Sequence, residues 1–339
     1  MHAMTEADRG AVPGALRIAL FVPCHNEEAT IGQVIADFAR HLPEAECHVF
    51  DNASGDATAT VARAAGARVH HVALRGKGNV VRRAFADLDA DVYVMVDGDA
   101  TYEAAAAPAL VRELLEGGLD MVVGARVDRE RAAYRPGHRF GNRLLTRCAS
   151  ALFGNSFEDM LSGYRVFSRR YAKSFPAHAA GFEIETELAV HALQLRMPVR
   201  EVRTAYAARP EGSSSKLSTW KDGARILGTI VRLFNSERPL LFFSLGAAAS
   251  LVLALVLAAP LLVTYLETGL VPRFPTAILC SALVMLSALA MACGLILDNV
   301  ARGRIEAKHI AYLAVPATRV PSEPAASVAA RAGQVEACP

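Results

Sequence analysis

Between residues 17 and 124, short apolar runs alternate with stretches whose apolar positions recur every three or four residues. The runs 17–22, 47–50, 68–74, 92–96 and 121–124 are rich in β-branched and aromatic residues and predict strands. Residues 30–42, 56–65, 77–88 and 104–115 carry helical spacing, as in Ile31, Val34, Ile35, Phe38 and Leu42. Ser54 and Asp56 supply a helix-capping signal before the second of these. Strands alternating with helices of about ten residues predict a parallel, doubly wound α/β sheet. Residues 126–220 alternate less cleanly, carry many Arg, Gly and Ser, and read as a substrate-facing half of the same domain.

The pattern then changes. Residues 239–266 and 274–297 contain no charge, runs of 28 and 24 residues. As helices they reach roughly 36–42 Å, enough to cross a hydrocarbon core of about 30 Å with tilt. The joining segment, 267–273, allows only a helical hairpin, so both flanks face one side. Arg232, Arg238, Arg302, Arg304 and Lys308 lie on those flanks against Arg273 in the loop, which predicts that the flanks are cytoplasmic. Before the hairpin, 221–234 puts Ile226, Leu227, Ile230, Val231 and Phe234 on one face and Lys221, Arg225 and Arg232 on the other. That is either an interfacial helix at the headgroups or a core helix with a solvated face. The expected organisation is a loose lead-in over 1–15 and a catalytic domain over 16–220. A juxtamembrane helix over 221–237 and a hairpin over 238–298 follow, then a partly disordered cytoplasmic tail over 299–339.

Composition narrows the classes. Of 339 residues 53% are hydrophobic and 21% charged, which excludes a disordered or collagen-like chain. A net charge of +2 argues against a dedicated nucleic-acid binder. The six cysteines show no CxxC spacing, so a disulfide framework or zinc site is not expected.

Ligands of open α/β sheets bind outside the carboxyl ends of the strands, and the acidic loops of this chain fall there. They are Pro23-Cys24-His25-Asn26-Glu27-Glu28 after the first strand, Asp51 to Asp56 after the second, and Asp97-Gly98-Asp99 after the fourth. Two carboxylates two residues apart at a strand exit offer hard oxygen ligands for Mg²⁺ or Mn²⁺ bridging a diphosphate. Gly76-Lys77-Gly78 opens a helix and reads either as an anion cradle or as a turn with a solvent lysine. Glu183, Glu185 and Glu187 form a second acidic cluster, with Glu183 and Glu187 on one helical face. It holds a cation, faces a sugar, or is a solvated helix start favoured by the dipole. Neither GxGxxG nor GxxxxGK[ST] occurs, so dinucleotide and P-loop readings lose their main support. Gly246 and Ser250, and Ala290 and Gly294, are small residues four apart that would let the two apolar helices pack closely.

Taken in order, the motifs from Pro23 to Asp99 resemble a family 2 glycosyltransferase of GT-A fold. Asp159-Met160-Leu161-Ser162-Gly163-Tyr164-Arg165 and the segment from Arg209 to Lys216 are similar to its dolichol-phosphate-mannose-synthase and bacterial polyprenyl-phosphate branch. The likeness covers about residues 17–310. It implies a GT-A (Rossmann-like, mostly parallel) catalytic domain followed by a two-helix transmembrane hairpin. It also implies that Pro23, Glu27 and Asp51 hold the base and ribose, and that Asp97 and Asp99 hold the metal and diphosphate. Lys77, Arg126 and Arg139 would meet the donor's phosphates, and Asp159 would stand near the acceptor. Asp99, Asp159, Arg165, Arg209 and Lys216 are the implied catalytic set. The family often has Gln where this chain has Thr101, a weaker metal ligand, so a water is expected to complete the shell. Trp220 lacks the preceding Gln-x-x-Arg of processive synthases, which disfavours a cellulose- or chitin-like activity.

The expected activity is inverting, metal-dependent transfer of a hexose from a UDP- or GDP-sugar to a polyprenyl phosphate, with undecaprenyl phosphate indicated by the Ala/Arg-rich usage. The expected partners are that donor, that lipid acceptor, the bilayer and a second copy of the chain. Rival readings are a membrane glycosyltransferase extending a lipid-linked or surface glycan, and a non-catalytic nucleotide-binding scaffold. A nucleotidyltransferase would want a Gly-rich loop at 22–30, which is missing.

Overall fold

A computed structural model of the chain describes residues 16–128, 157–177, 181, 183–207, 228, 231 and 234–318. In chain order the first elements are β1 (Ile18–Cys24), α1 (Ile31–His41), β2 (Ala45–Asp51), α2 (Thr58–Ala64), β3 (Arg68–His71) and α3 (Lys77–Asp87). Then come β4 (Val92–Met95), α4 (Ala107–Glu116) and β5 (Met121–Asp128), with a 3₁₀ turn, Ala104–Ala106, leading into α4. After them lie β6 (Arg165–Ser168), α5 (Arg169–Ser174), α6 (Ile184–Gln194) and β7 (Val199–Tyr206). The long helices α7 (Pro239–Thr268) and α8 (Phe274–Leu313) end the series.

The seven strands form one sheet in the order β3-β2-β1-β4-β6-β5-β7. β1 pairs in parallel with β2 and β4, β2 with β3, and β5 with β7. The expected alternation of parallel units ends at β6, which runs antiparallel to both β4 and β5. β1 is buried along nearly its whole length, as a strand covered on both faces must be. Its alternation sorts the two layers. Ile18, Leu20 and Val22 join Val34, Ile35 and Phe38 of α1 and Leu110 of α4, while Phe21 meets Phe50 and Phe85 edge-on beside α3.

Contacts divide the chain into two units, 1–142 with 157–216 and 311–339, and 143–156 with 217–310. In the second unit α7 and α8 are each long and apolar enough to cross a membrane, and their large apolar side chains stand largely exposed. They touch through small residues. Ser287 Oγ donates to the Ala247 carbonyl at 2.8 Å, and a Cβ at Gly294 would press on Phe243 and Leu240. Gly246 has open space where its Cβ would be, so of the two glycines in the small pairs only Gly294 faces the neighbouring helix. α8 runs on to Leu313, well past the apolar run: the strong helix formers Ala301, Arg302, Arg304, Glu306, Ala307 and Lys308 outweigh Gly303, and an Asp298–Arg302 pair one turn apart adds to them. The expected tail is therefore helical at its start.

Candidate functional site

β2, β1 and β4 are neighbours, so the loops leaving their carboxyl ends emerge side by side. Each contains a non-glycine residue with positive φ: Asn26 at 55°, Ala53 at 54° and Ala100 at 57°. Backbone in this region costs of order 1–3 kcal/mol per residue and persists where surrounding bonds over-determine it. Here they do. Asn26 N–H donates to Ser54 Oγ, Gly55 N–H to Asn26 Oδ1, and Glu27 N–H to Thr58 Oγ1 at 2.8 Å. Thr30 Oγ1, at the head of α1, donates to the Gly98 carbonyl at 2.7 Å and so ties the first loop to the third.

The second loop is fastened just as closely. Asp51 is buried; its Oδ1 accepts the Ser54 N–H at 3.3 Å, and its Oδ2 lies 3.3 Å from His71 Nδ1. Asn52 donates to the Val72 and Leu74 carbonyls and accepts the Gly76 N–H at 2.6 Å. Gly76 has φ 124°, which favours glycine, and it starts α3 with Lys77 as the first helical residue.

Lys77 is the centre of the charge pattern. Its Nζ reaches Asp97 Oδ1 at 2.5 Å and Glu185 Oε1 at 2.6 Å. Burial pulls the ammonium's pKa down, but the two carboxylates outweigh it and leave Lys77 above the ordinary lysine range. Asp99 is 4% exposed, and its Oδ1 accepts both the hydroxyl of Thr101 at 2.6 Å and the Thr101 N–H at 3.3 Å. Gly163 backs Asp97 so closely that a Cβ there would collide with the carboxylate.

Asp159 sits beside the carboxyl half of β5, where its Oδ2 accepts the Arg126 N–H at 3.3 Å. Arg126 grips it through Nε to Oδ2 at 2.7 Å and Nη2 to Oδ1 at 2.8 Å, with the guanidinium 5.5 Å from the Tyr206 ring centre. The Asp159 and Glu158 N–H groups donate to the two oxygens of Glu201, whose pKa burial pushes up. Ser162 Oγ donates to the Gly124 carbonyl and Tyr102 Oη accepts the Gly163 N–H at 2.8 Å, so the turn from Asp159 to Gly163 is held from three directions.

Residues 19–175 match the family model "Glycosyl transferase family 2". The glycosyltransferase AglJ of Haloferax volcanii is 37% identical over 247 residues, covering 71% of this chain and 80% of that one. The chain belongs to glycosyl transferase family 2. A dolichyl-phosphate hexose transferase of the same organism is 29% identical over 221 residues, 65% of this chain and 95% of that protein. Among solved structures, glucosyl-3-phosphoglycerate synthase of Mycobacterium tuberculosis, in complex with Mn²⁺, UDP and glucosyl-3-phosphoglycerate, superposes with a TM-score of 0.54. The two are 26% identical, and the match covers 65% of this chain and 79% of the synthase.

Within this family 2 glycosyltransferase the sequence-derived residues fall into three groups. Pro23, Glu27, Asp51, Lys77, Asp97 and Asp99 gather at the adjoining ends of β1, β2 and β4 and the start of α3. Arg126 and Asp159 are together but face each other. Arg139, Arg209, Lys216 and the amphipathic face of Lys221, Arg225 and Arg232 lie outside the described residues. Arg165 and Thr101 are both engaged within the protein. Arg165 is 0% exposed, and its guanidinium donates to the carbonyls of Ser162 and Met160, with Met121 Sδ at 3.7 Å. It clamps the Asp159 turn from beneath. Thr101 is 1% exposed and its hydroxyl donates to Asp99 Oδ1.

The sequence shows no sign of Glu201, and it offers Glu185 only as one member of the Glu183–Glu187 cluster. On α6 it singles out the shared face of Glu183 and Glu187, whereas the middle glutamate is the buried one. Among the described residues no three His, Cys, Asp or Glu side chains are arranged to hold a metal. Asp97 and Asp99 are the two carboxylates that follow β4, two residues apart. Such a pair suits Mg²⁺ or Mn²⁺, which complete their shells with phosphate oxygens and water.

Proposed function

We propose that this glycosyltransferase moves one hexose, with inversion, from a UDP- or GDP-sugar to a polyprenyl phosphate at the cytoplasmic face of a membrane. The observation that carries the reading is one chain that joins a strand-end carboxylate pair with Lys77 to two helices of membrane-spanning length. The relative named as a dolichyl-phosphate hexose transferase supports the acceptor class. The synthase bound to Mn²⁺ and UDP supports a nucleotide donor and a divalent metal.

On this reading Asp97 and Asp99 hold Mg²⁺ or Mn²⁺, which when bound neutralises charge on the departing diphosphate. Asp51 accepts from the base or ribose, and the polar loop around Glu27 closes that end of the site. Lys77 lies beside Asp97, where diphosphate charge develops as the glycosidic bond breaks. The acceptor needs little activation, because a phosphate monoester with a second pKa of about 6 is already mostly a dianion near neutral pH. Asp159 agrees with that. A carboxylate gripped by a bidentate arginine is a poor proton acceptor, so its part is to fix the turn and Arg126 beside the acceptor. Arg139, Arg209 and Lys216 complete the phosphate contacts in this proposal.

The test is transfer of radiolabelled sugar from a panel of UDP- and GDP-sugars to undecaprenyl phosphate in detergent with Mg²⁺ or Mn²⁺, beside Asp99→Ala. Labelled lipid with one donor, lost in the variant, is the expected result. A donor that binds or hydrolyses while no lipid is labelled overturns the acceptor and favours extension of a glycan.

A further inference from the structure

Glu185 is a buried carboxylate that the proposed mechanism leaves without a task. It lies in the first turn of α6 and is 5% exposed. Its Oε1 accepts from Lys77 Nζ, the same ammonium that reaches Asp97 Oδ1. Its Oε2 is buried and has no hydrogen-bond partner among the described residues. Glu185 is 108 positions from Lys77 in sequence, so only the fold places this carboxylate behind the lysine. One cation is therefore shared between a carboxylate at the strand end and another sealed behind it.

An ammonium in contact with a carboxylate competes with any other cation that the carboxylate is to bind. Were Lys77 paired with Asp97 alone, a metal arriving at Asp97 would strip a buried lysine of its only partner. A buried unpaired charge is strongly disfavoured. With Glu185 present, Lys77 keeps an ion pair when Asp97 turns to a metal. The trio then carries one net negative charge instead of none.

We propose that Glu185 is a positioning residue of the donor site: through Lys77 it leaves Asp97 able to take a divalent cation while the ammonium stays in place for the diphosphate. This rests on the reading of Asp97 as a metal ligand. Glu185 touches neither metal nor sugar in this role. Its effect passes through Lys77, which gives it a signature that a merely structural carboxylate lacks.

The experiment is binding of Mn²⁺ to the purified full chain in detergent, read by water-proton relaxation, alone and with UDP or GDP. Glu185→Gln is expected to raise the Mn²⁺ dissociation constant about tenfold, and Glu185→Asp to recover most of the loss. In a Lys77→Met background the same Glu185→Gln change is expected to move it less than about twofold, since the residue it acts through is gone. An unchanged constant in Glu185→Gln, or an equal loss in both backgrounds, overturns the proposal. If Glu185→Gln does not fold, Glu185→Asp compared in the two backgrounds decides by the same rule. Asp97→Asn separates the two readings. If it binds Mn²⁺ as the parent does, or if the parent binds none with either nucleotide, the metal site falls and this inference with it. If Asp97→Asn is impaired and Glu185→Gln is not, only the role of Glu185 falls.

Discussion

Arg126 and Asp159 meet through two parallel hydrogen bonds of 2.7 and 2.8 Å, 33 residues apart in sequence and both largely buried. The pair joins β5 to the turn that precedes β6, and the Arg126 N–H adds a third contact to Asp159 Oδ2 at 3.3 Å. Removing one partner leaves the other charge buried, which costs about 3–5 kcal/mol in comparable pairs. Arg126→Ala and Asp159→Asn are each expected to lose about that much in denaturant unfolding. The double variant Arg126→Met/Asp159→Leu is expected to recover much of it while remaining inactive. Additive losses in the double variant would show that the two side chains are not coupled.

Thr101 tests whether the carboxylate box needs its orienting hydroxyl. Thr101→Val keeps the shape and removes one of two donors to Asp99 Oδ1, the Thr101 N–H remaining, at a cost of about 1.5–3 kcal/mol for a hydrogen bond to a charged group. The metal concentration for half-maximal activity is expected to rise as Asp99 loses its fixed rotamer. Thr101→Ser, which restores the hydroxyl, is expected to recover most of the metal dependence. Equal metal requirements in the parent and Thr101→Val would show that Asp99 is oriented by other contacts.

Arg165 is expected to behave as a fold residue. Its guanidinium is fully buried against two carbonyls, and burial pulls its pKa down because the charge has left water. Arg165→Met removes a costly buried charge but leaves the Ser162 and Met160 carbonyls without their donors, at about 1–3 kcal/mol each. The expected result is a lowered unfolding midpoint, with donor KM in the remaining folded enzyme within about twofold of the parent. A large rise in KM at unchanged stability would instead place Arg165 in contact with the donor.

The half of the site built on local sequence was legible, and the half built on distant pairing was not. Asp51, Asp97 and Asp99 stand at the ends of strands whose apolar runs are unmistakable, so the strand-end rule was enough to bring them together. The grip of Arg126 on Asp159 depends on β6 turning antiparallel between β4 and β5, which no local periodicity encodes. Glu185 shows the same limit in one residue. Three glutamates at alternate positions look equivalent in sequence, and only the packing of α6 beside Lys77 buries the middle one. That the Arg165 guanidinium is buried against the Ser162 and Met160 carbonyls is likewise set by packing and not by its neighbours along the chain.

Acid sensitivity is expected from the far edge of the sheet. His48 Nδ1 and His70 Nε2 lie 3.0 Å apart on β2 and β3, with His70 stacked on Phe50. One proton fits between the two nitrogens, so the pair holds when both rings are neutral. Burial lowers the pKa of both from the ordinary 6.5, against the pull of Glu46 on His48 and of Asp87 on His70, with Arg68 acting in the same sense as burial. A folded pKa below the unfolded one means that the unfolded chain takes up protons first as pH falls. The contribution of these rings to stability is therefore complete above about pH 6.5, declines as pH drops below that value, and levels off once the folded pKa values are passed. Urea midpoints measured from about pH 8 to pH 5 are expected to fall most steeply below 6.5 in the parent. His48→Gln keeps a hydrogen-bonding partner for His70 and removes one of the two titrating rings, so its slope over the acid half of that range is expected to be shallower. An identical slope in both proteins would assign the acid sensitivity to carboxylates elsewhere in the fold.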